Sequence, residues 1–295
     1  MARCACIDIG SNTTRLLVAE DDDRRLRELL AERSFTRLAS ACDAHGEIAA
    51  EKISEIAEIV ARQARTAAEL GAESVRVVAT SAVRRAVNAR ALAAAIDAAC
   101  GLQVDVLTGE EEARLAFAGV IGLLPDPPAG ELGVVDVGGG STELVVGTAC
   151  DGVRWSISLP VGSSGVTDAE LPHDPPTAHE LARVRGRLAD VFGAIEVPRP
   201  SVAYAVGGSA TSLRRLVGEL LQRESLMLGL GQLVRQPAAE IALRLGLHAE
   251  RVRLLPAAIL LLDAASHAFR APLEMGGGGL REGVVLEQLA QIGRA

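Results

Sequence analysis

The segment Cys6-Ile7-Asp8-Ile9-Gly10-Ser11-Asn12-Thr13-Thr14-Arg15-Leu16-Leu17-Val18 has a counterpart near half a chain later. That counterpart is Val134-Val135-Asp136-Val137-Gly138-Gly139-Gly140-Ser141-Thr142-Glu143-Leu144-Val145-Val146-Gly147. Each is an apolar strand ending in Asp-x-Gly, then a turn of small hydroxylated residues, then a second apolar strand. Two copies of one hairpin predict two similar halves. Pro125-Asp126-Pro127-Pro128, closed by Gly130, is the clearest linker and falls just before the second copy. The sequence therefore predicts domains over 1–125 and 126–295, with the last helix a candidate to pack back on the first domain.

Outward from the hairpins, the elements alternate. Strands are expected at Ala5–Ile9, Thr14–Ala19 and Leu26–Arg33. The repeat Ile53, Ile56, Ile59, Val60, Ala64 predicts a helix over Ala49–Leu70, stopped at Gly71. Strand Val75–Thr80, helix Ala89–Cys100, strand Val104–Leu107 and helix Glu110–Gly122 follow. The second half reads as strands Leu132–Val137, Thr142–Gly147 and Val153–Leu159, helix Ala178–Phe192, strand Val202–Val206 and helix Ala210–Leu221. Helices Ala238–Leu245, Pro256–Ala268 and Arg281–Ile292 close the chain. The fold class is α/β.

Composition bounds the function. The 295 residues carry a net charge of −8 and only 2% aromatics. That excludes a general nucleic-acid binder, which needs a basic face and stacking platforms. A polyanion in one locally basic cleft remains compatible. Lys52 is the only lysine, so the cations are arginines, the better residue for bidentate phosphate contacts. Five cysteines without a Cys-x-x-Cys pair make neither a disulfide framework nor a zinc site, and buried free thiols are expected. Asp8 interrupts any signal-peptide core, and Pro256–Ala265 is too short to span a bilayer. A soluble cytoplasmic protein with no membrane partner is expected.

The hairpins carry chemistry. Glycine in a turn permits positive φ and close approach of a ligand, and successive turn amides form an anion nest. The expected phosphate-binding residues are Gly10, Ser11, Asn12 and Thr13 in the first turn, and Gly138, Gly139, Gly140, Ser141 and Thr142 in the second. A third turn, Gly207-Gly208-Ser209, opens a helix and adds an anion site of the helix N-terminal kind. Asp8 and Asp136 stand at strand ends as candidate Mg²⁺ ligands. Hairpins facing each other across a cleft would grip a phosphate chain from both sides. No Gly-x-x-x-x-Gly-Lys-Ser/Thr and no Gly-x-Gly-x-x-Gly accompanies them, so P-loop and dinucleotide folds are not indicated.

With CIDIGSNTTRLLV (6–18), ATSAVRRAVN (79–88), TGEEEARLAF (108–117), VVDVGGGSTELVVG (134–147), AVGGSATSL (205–213) and GLREGVVLE (279–287), the chain resembles the exopolyphosphatase / guanosine pentaphosphate phosphohydrolase family. The resemblance runs nearly its whole length. It implies two actin-like, ribonuclease H-like domains of the acetate and sugar kinase, heat-shock chaperone and actin superfamily, with the site in the interdomain cleft. It implies release of terminal phosphate from inorganic polyphosphate or guanosine pentaphosphate with Mg²⁺, or Mn²⁺ in its place. Residue by residue, Glu112 takes the place of the catalytic base, with Glu111 the neighbour it could be confused with. Glu143 matches an acidic residue that binds metal or positions water, and Arg84 a phosphate-contacting arginine. Asp136 is the main metal ligand, with Asp8 second. The chain resembles the short members, which lack a further helical region. Related proteins are often dimers, and apolar C-terminal helices could serve a homodimer. A binding-only sensor and a kinase-like ATPase of the same superfamily are the alternatives.

Overall fold

A computed structural model describes residues 1–22, 25–42 and 45–293. The chain forms two units, Met1–Pro125 with Gly278–Ala295, and Asp126–Gly277. In the first, β1 (Arg3–Ile9), β2 (Thr13–Asp22) and β3 (Arg25–Phe35) make an antiparallel meander. Then come α1 (Ala50–Glu69), β4 (Ser74–Ala79), α2 (Ser81–Arg85), α3 (Ala89–Cys100), β5 (Val104–Val106) and α4 (Gly109–Leu123). β4 pairs parallel to β1 and β5 parallel to β4, giving the order β3-β2-β1-β4-β5.

The second unit repeats the plan. β6 (Leu132–Val137), β7 (Thr142–Thr148) and β8 (Gly152–Leu159) form the meander, and α5 (Ser163–Glu170) and α6 (Ala178–Gly193) follow. β9 (Val202–Val206) pairs parallel to β6. Next are α7 (Gly207–Val217), β10 (Leu220–Leu221), α8 (Arg223–Leu233), α9 (Ala238–Leu245), α10 (Ala249–Phe269) and β11 (Leu273–Met275), the last parallel to β9. The order is β10-β11-β9-β6-β7-β8. Read from β8, it matches the first sheet in strand order and direction, with β10 added at the edge. The two units are thus ribonuclease H-like, actin-like α/β layers.

β1 shows why its sequence is apolar at nearly every position. Ala5, Ile7 and Ile9 face a core with Ile56 and Val60 of α1 and Leu92 and Ile96 of α3. Cys4 and Cys6 face another, with Leu115 of α4. A strand covered on both faces reads as a continuous apolar run rather than an alternation.

The last helix of the expected 126–295 stretch packs back on the first unit, the arrangement the sequence left open. α11 (Leu280–Ile292) belongs to the first unit. Leu280, Val284 and Val285 pack with Cys4, Cys6, Leu17 and Leu115. The crossing of α11 on α4 is closer than side chains allow: a Cβ on Gly283 would lie 1.9 Å from the Leu115 carbonyl oxygen. Polar bonds pin the helix further along. Gln288 Nε2 donates to the Ala5 carbonyl at 3.1 Å, and Glu287 pairs with Arg76 at 2.8 Å and Arg114 at 3.0 Å.

Other boundaries also moved. α7 starts at Gly207 and ends at Val217, because the Gly207–Gly208 pair is its first turn rather than a loop before it. α10 starts at Ala249, with Pro256 inside it, because His248 caps the start by accepting the Glu250 amide at 3.3 Å. At 21 residues this helix is long and apolar enough to cross a bilayer, unlike the segment expected from the sequence. Here Leu255, Ile259, Leu260 and Leu262 are buried in the core of the second unit. α2 and the short strands β10 and β11 carry too few residues to show a period, and glycines inside α5 and α8 blur theirs. Of the five free thiols, Cys4 and Cys6 are buried, but Cys150 is exposed because it sits in the β7–β8 turn.

Candidate active site

The first turn is held by its carbonyls. Gly10 N–H donates to the Thr13 carbonyl at 3.0 Å. The Asn12 carbonyl accepts the amides of Thr36 and Arg37, and the Ser11 carbonyl accepts that of Ala39. Ser11 and Thr13 are buried, and Arg15 Nε donates to Thr13 Oγ1 at 3.0 Å. Asp8 lies opposite Arg15 across the β1–β2 ladder. Its Oδ1 is buried without a hydrogen-bond partner, as is Asn12 Nδ2. Burial pushes the Asp8 carboxyl up from its ordinary value, against the pull of Arg15 and Arg281.

The second turn is built in the same way. Gly138 N–H donates to the Ser141 carbonyl at 3.0 Å, while the Gly138 and Gly139 carbonyls accept amides of Ser163, Ser164 and Gly165. In both turns the segment after the third strand takes up the carbonyls, which leaves the turn amides as the groups for an anion. Neither turn uses positive φ at Gly10, Gly138, Gly139 or Gly140, contrary to the sequence expectation. A Cβ on Gly10 or Gly138 would instead lie 3.1 Å from the carbonyl that closes its turn, so closeness is the constraint. Positive φ appears at Gly207 (+79°), where a Cβ would lie 2.2 Å from Asp136 Oδ1. Asp136 is therefore seated against the start of α7, where the helix dipole favours negative charge. Glu143, across the ladder from Asp136, is buried and accepts the Ser158 hydroxyl at 2.7 Å. The hydroxyls of Thr142 and Ser209 are committed to the carbonyls of Val161 and Val137. These residues have only backbone amides to offer a phosphate. Gly208 and Ser209 lie in the first turn of α7.

The three glutamates opening α4 separate cleanly. Glu111 closes a capping box: its Oε2 accepts Thr108 N–H at 2.8 Å and Thr108 Oγ1 at 2.9 Å. Those bonds with Thr108 hold its carboxyl below the usual range. Glu112 is buried, and its Oε2 accepts Arg84 Nη1 at 3.1 Å. The same nitrogen donates to the Leu107 carbonyl at 2.7 Å, which leaves the other edge of the guanidinium for a ligand. Thr-x-x-Glu at 108–111 is a capping signal legible in the sequence. Arg84 comes from α2, a helix the sequence did not reveal, and the Ser158 contact to Glu143, from β8 to β7, was not legible either.

The Ppx/GppA phosphatase family matches residues 17–292. The chain belongs to that family. Exopolyphosphatase 2 of Mycobacterium tuberculosis is 32% identical to it over 309 aligned positions, covering 99% of this chain and 91% of that protein. A guanosine-5′-triphosphate,3′-diphosphate pyrophosphatase of Vibrio cholerae is 27% identical, covering 98% of this chain and 59% of that longer protein. Among solved structures, the Aquifex aeolicus member of the Ppx/GppA family superposes with a TM-score of 0.84 at 29% identity, covering 100% of this chain and 99% of that one.

A Ppx/GppA phosphatase is a phosphohydrolase, and the residues here suit phosphate and a hard cation. Among the described residues, no group of three or more His, Cys, Asp or Glu side chains is arranged to hold a metal alone. Mg²⁺ does not ask for one, since it takes one or two carboxylates and completes its shell with water and substrate oxygens. Within the first unit the orphaned Asp8 Oδ1 fits that pattern, and within the second so do the partly buried Asp136 carboxylate and the buried Glu143.

Proposed function

We propose that this protein removes the terminal phosphate of inorganic polyphosphate, or the 5′-γ-phosphate of guanosine pentaphosphate, through a water activated by Glu112. The observation that carries the reading is the Glu112–Arg84 pair, with Glu111 already consumed by its cap. Glu112 accepts a hydrogen bond from the water and takes its proton as the water oxygen attacks the terminal phosphorus. The bridging P–O bond breaks, and its electron pair leaves with the shortened chain. The amides of both turns and the outer edge of Arg84 spread the charge of the equatorial oxygens. Asp136, Glu143 and Asp8 would hold Mg²⁺, which when bound neutralises charge on the phosphate oxygens. The names of the Mycobacterium and Vibrio relatives support both substrate classes.

The test is phosphate release from long polyphosphate, tripolyphosphate and guanosine pentaphosphate, with Mg²⁺, with Mn²⁺ and with chelator. Release that needs the metal and collapses in Glu112→Gln is expected. Binding without release from any of the three would make the protein a sensor instead.

A further inference from the structure

α8 takes no part in the site above. It seats itself in the second unit through one glycine and carries another that the unit does not need. A Cβ on Gly229 would lie 2.4 Å from Val217 Cγ1, so glycine there lets α8 approach α7. A Cβ on Gly231 would meet nothing within 4 Å. Glycine inside a helix costs about 0.5–1 kcal/mol against alanine, and no neighbour among the described residues accounts for it at 231. Nearby on the same helix stands Leu228, 71% exposed. Met227, Leu228, Gly231, Gln232, Arg235 and Arg244 wall a surface hollow of about 390 Å³.

Glu224, Leu228, Gly231 and Arg235 recur at steps of four, three and four, so they share the outer face of α8, with Arg235 just past its end. Leu226, Leu230 and Leu233, on the other face, are in the core. The Glu224 carboxylate and the Arg235 guanidinium are exposed, and no other described side chain engages either. The midpoint between Glu224 and Arg235 is also the midpoint between Leu228 and Gly231. A two-fold axis through that point, with two copies of α8 antiparallel, therefore sets Glu224 of one copy level with Arg235 of the other. It also sets Leu228 level with Gly231. The stripe is its own complement in charge and in size.

We propose that a second copy of this chain docks on the outer face of α8 across that two-fold. Leu228 of each copy enters the hollow beside Gly231 of the other, and Glu224 pairs with Arg235 at both ends. Leu243, 87% exposed beside Arg244 on α9, adds apolar surface to the contact. The apolar C-terminal helices expected to serve a homodimer are already spent, α10 in the core of the second unit and α11 against β1 and α4. An anionic lipid surface is disfavoured by the net charge of −8. An acidic peptide would answer Arg235 and Arg244 but leave Glu224 without a counter-charge. The proposal is independent of the phosphohydrolase reading.

The experiment is sedimentation equilibrium of the full chain over a range of concentrations. Wild type is expected to reach twice the mass of the chain. Leu228→Asp should raise the dimer Kd by about thirtyfold or more, as for a central anchor. Glu224→Arg and Arg235→Glu should each raise it by about tenfold, since each breaks both symmetric pairs. The double variant should return to within about threefold of wild type, because reversing both charges restores both pairs. If Leu228→Asp fails to fold, the charge-reversal cycle at two exposed positions decides alone. A monomer at every concentration overturns the proposal and leaves the hollow to another occupant, such as an acidic peptide. A dimer whose Kd none of the variants moves, or a double variant no tighter than the singles, overturns it as well.

Discussion

Glu111 and Glu112 are adjacent, identical in chemistry and opposite in use. The helix turns about 100° between them, so one carboxylate folds back on Thr108 and the other meets Arg84. Their variants should separate accordingly. Glu111→Ala should cost about 1 kcal/mol of stability through the lost cap and keep kcat, as thermal unfolding and steady-state kinetics would show. Glu112→Gln should lower kcat by roughly 10²–10⁴-fold with little change in melting temperature. A reversed pattern would reassign the base. At this scale the sequence was informative about chemistry and silent about pairing. The Thr-x-x-Glu cap was legible, but that Glu112 meets an arginine of α2 depends on how β4 and β5 align.

Single elements show how local chemistry stabilises each unit. α6 opens with a capping box of Thr177 and Glu180, and His173 Nδ1 lies 2.6 Å from Glu180 Oε1. The His173 and Thr177 bonds pull the Glu180 carboxyl down to about 2. A carboxylate depressed in the folded state stabilises above its unfolded value and loses that contribution as pH falls through the folded one. The stability advantage of wild type over Glu180→Gln should therefore be full above about pH 4.5 and fade toward pH 2, as urea melts at stepped pH would reveal. α1 carries an opposite feature. Gln63 is fully buried, and neither its Nε2 nor its Oε1 has a hydrogen-bond partner. Gln63→Met should raise stability by about 1–2 kcal/mol by removing an unsatisfied amide. A loss on denaturation would mean the amide is satisfied by water. The long amphipathic α1 and the β-branched strands were legible because periodicity accumulates over many residues. α2 was not, at five residues, and neither were α5 and α8, whose internal glycines blur the helical pattern.

On the scale of the molecule, the first unit is completed by the last helix. Its seam depends on backbone contact at Gly119 and Gly283. Gly283→Ala should cost about 1–3 kcal/mol by overpacking and should raise hydrogen exchange in α4, α11 and β1 while α10 stays protected. Equal protection throughout would show that the seam can give way.

The hairpin repeat, the linker at Pro125–Gly130 and the strand–helix alternation were decided by the sequence alone. Each is a local property: an Asp-x-Gly turn, a proline cluster or an apolar period needs no distant partner to be legible. The family was equally legible, since its motifs are contiguous. Only the tertiary structure decided which unit owns α11, that Glu112 meets Arg84, and that Asp136 sits against the start of α7. Those outcomes rest on strand register and on one helix crossing, contacts between residues up to nearly the whole chain apart. Their energies exist only once both partners are packed.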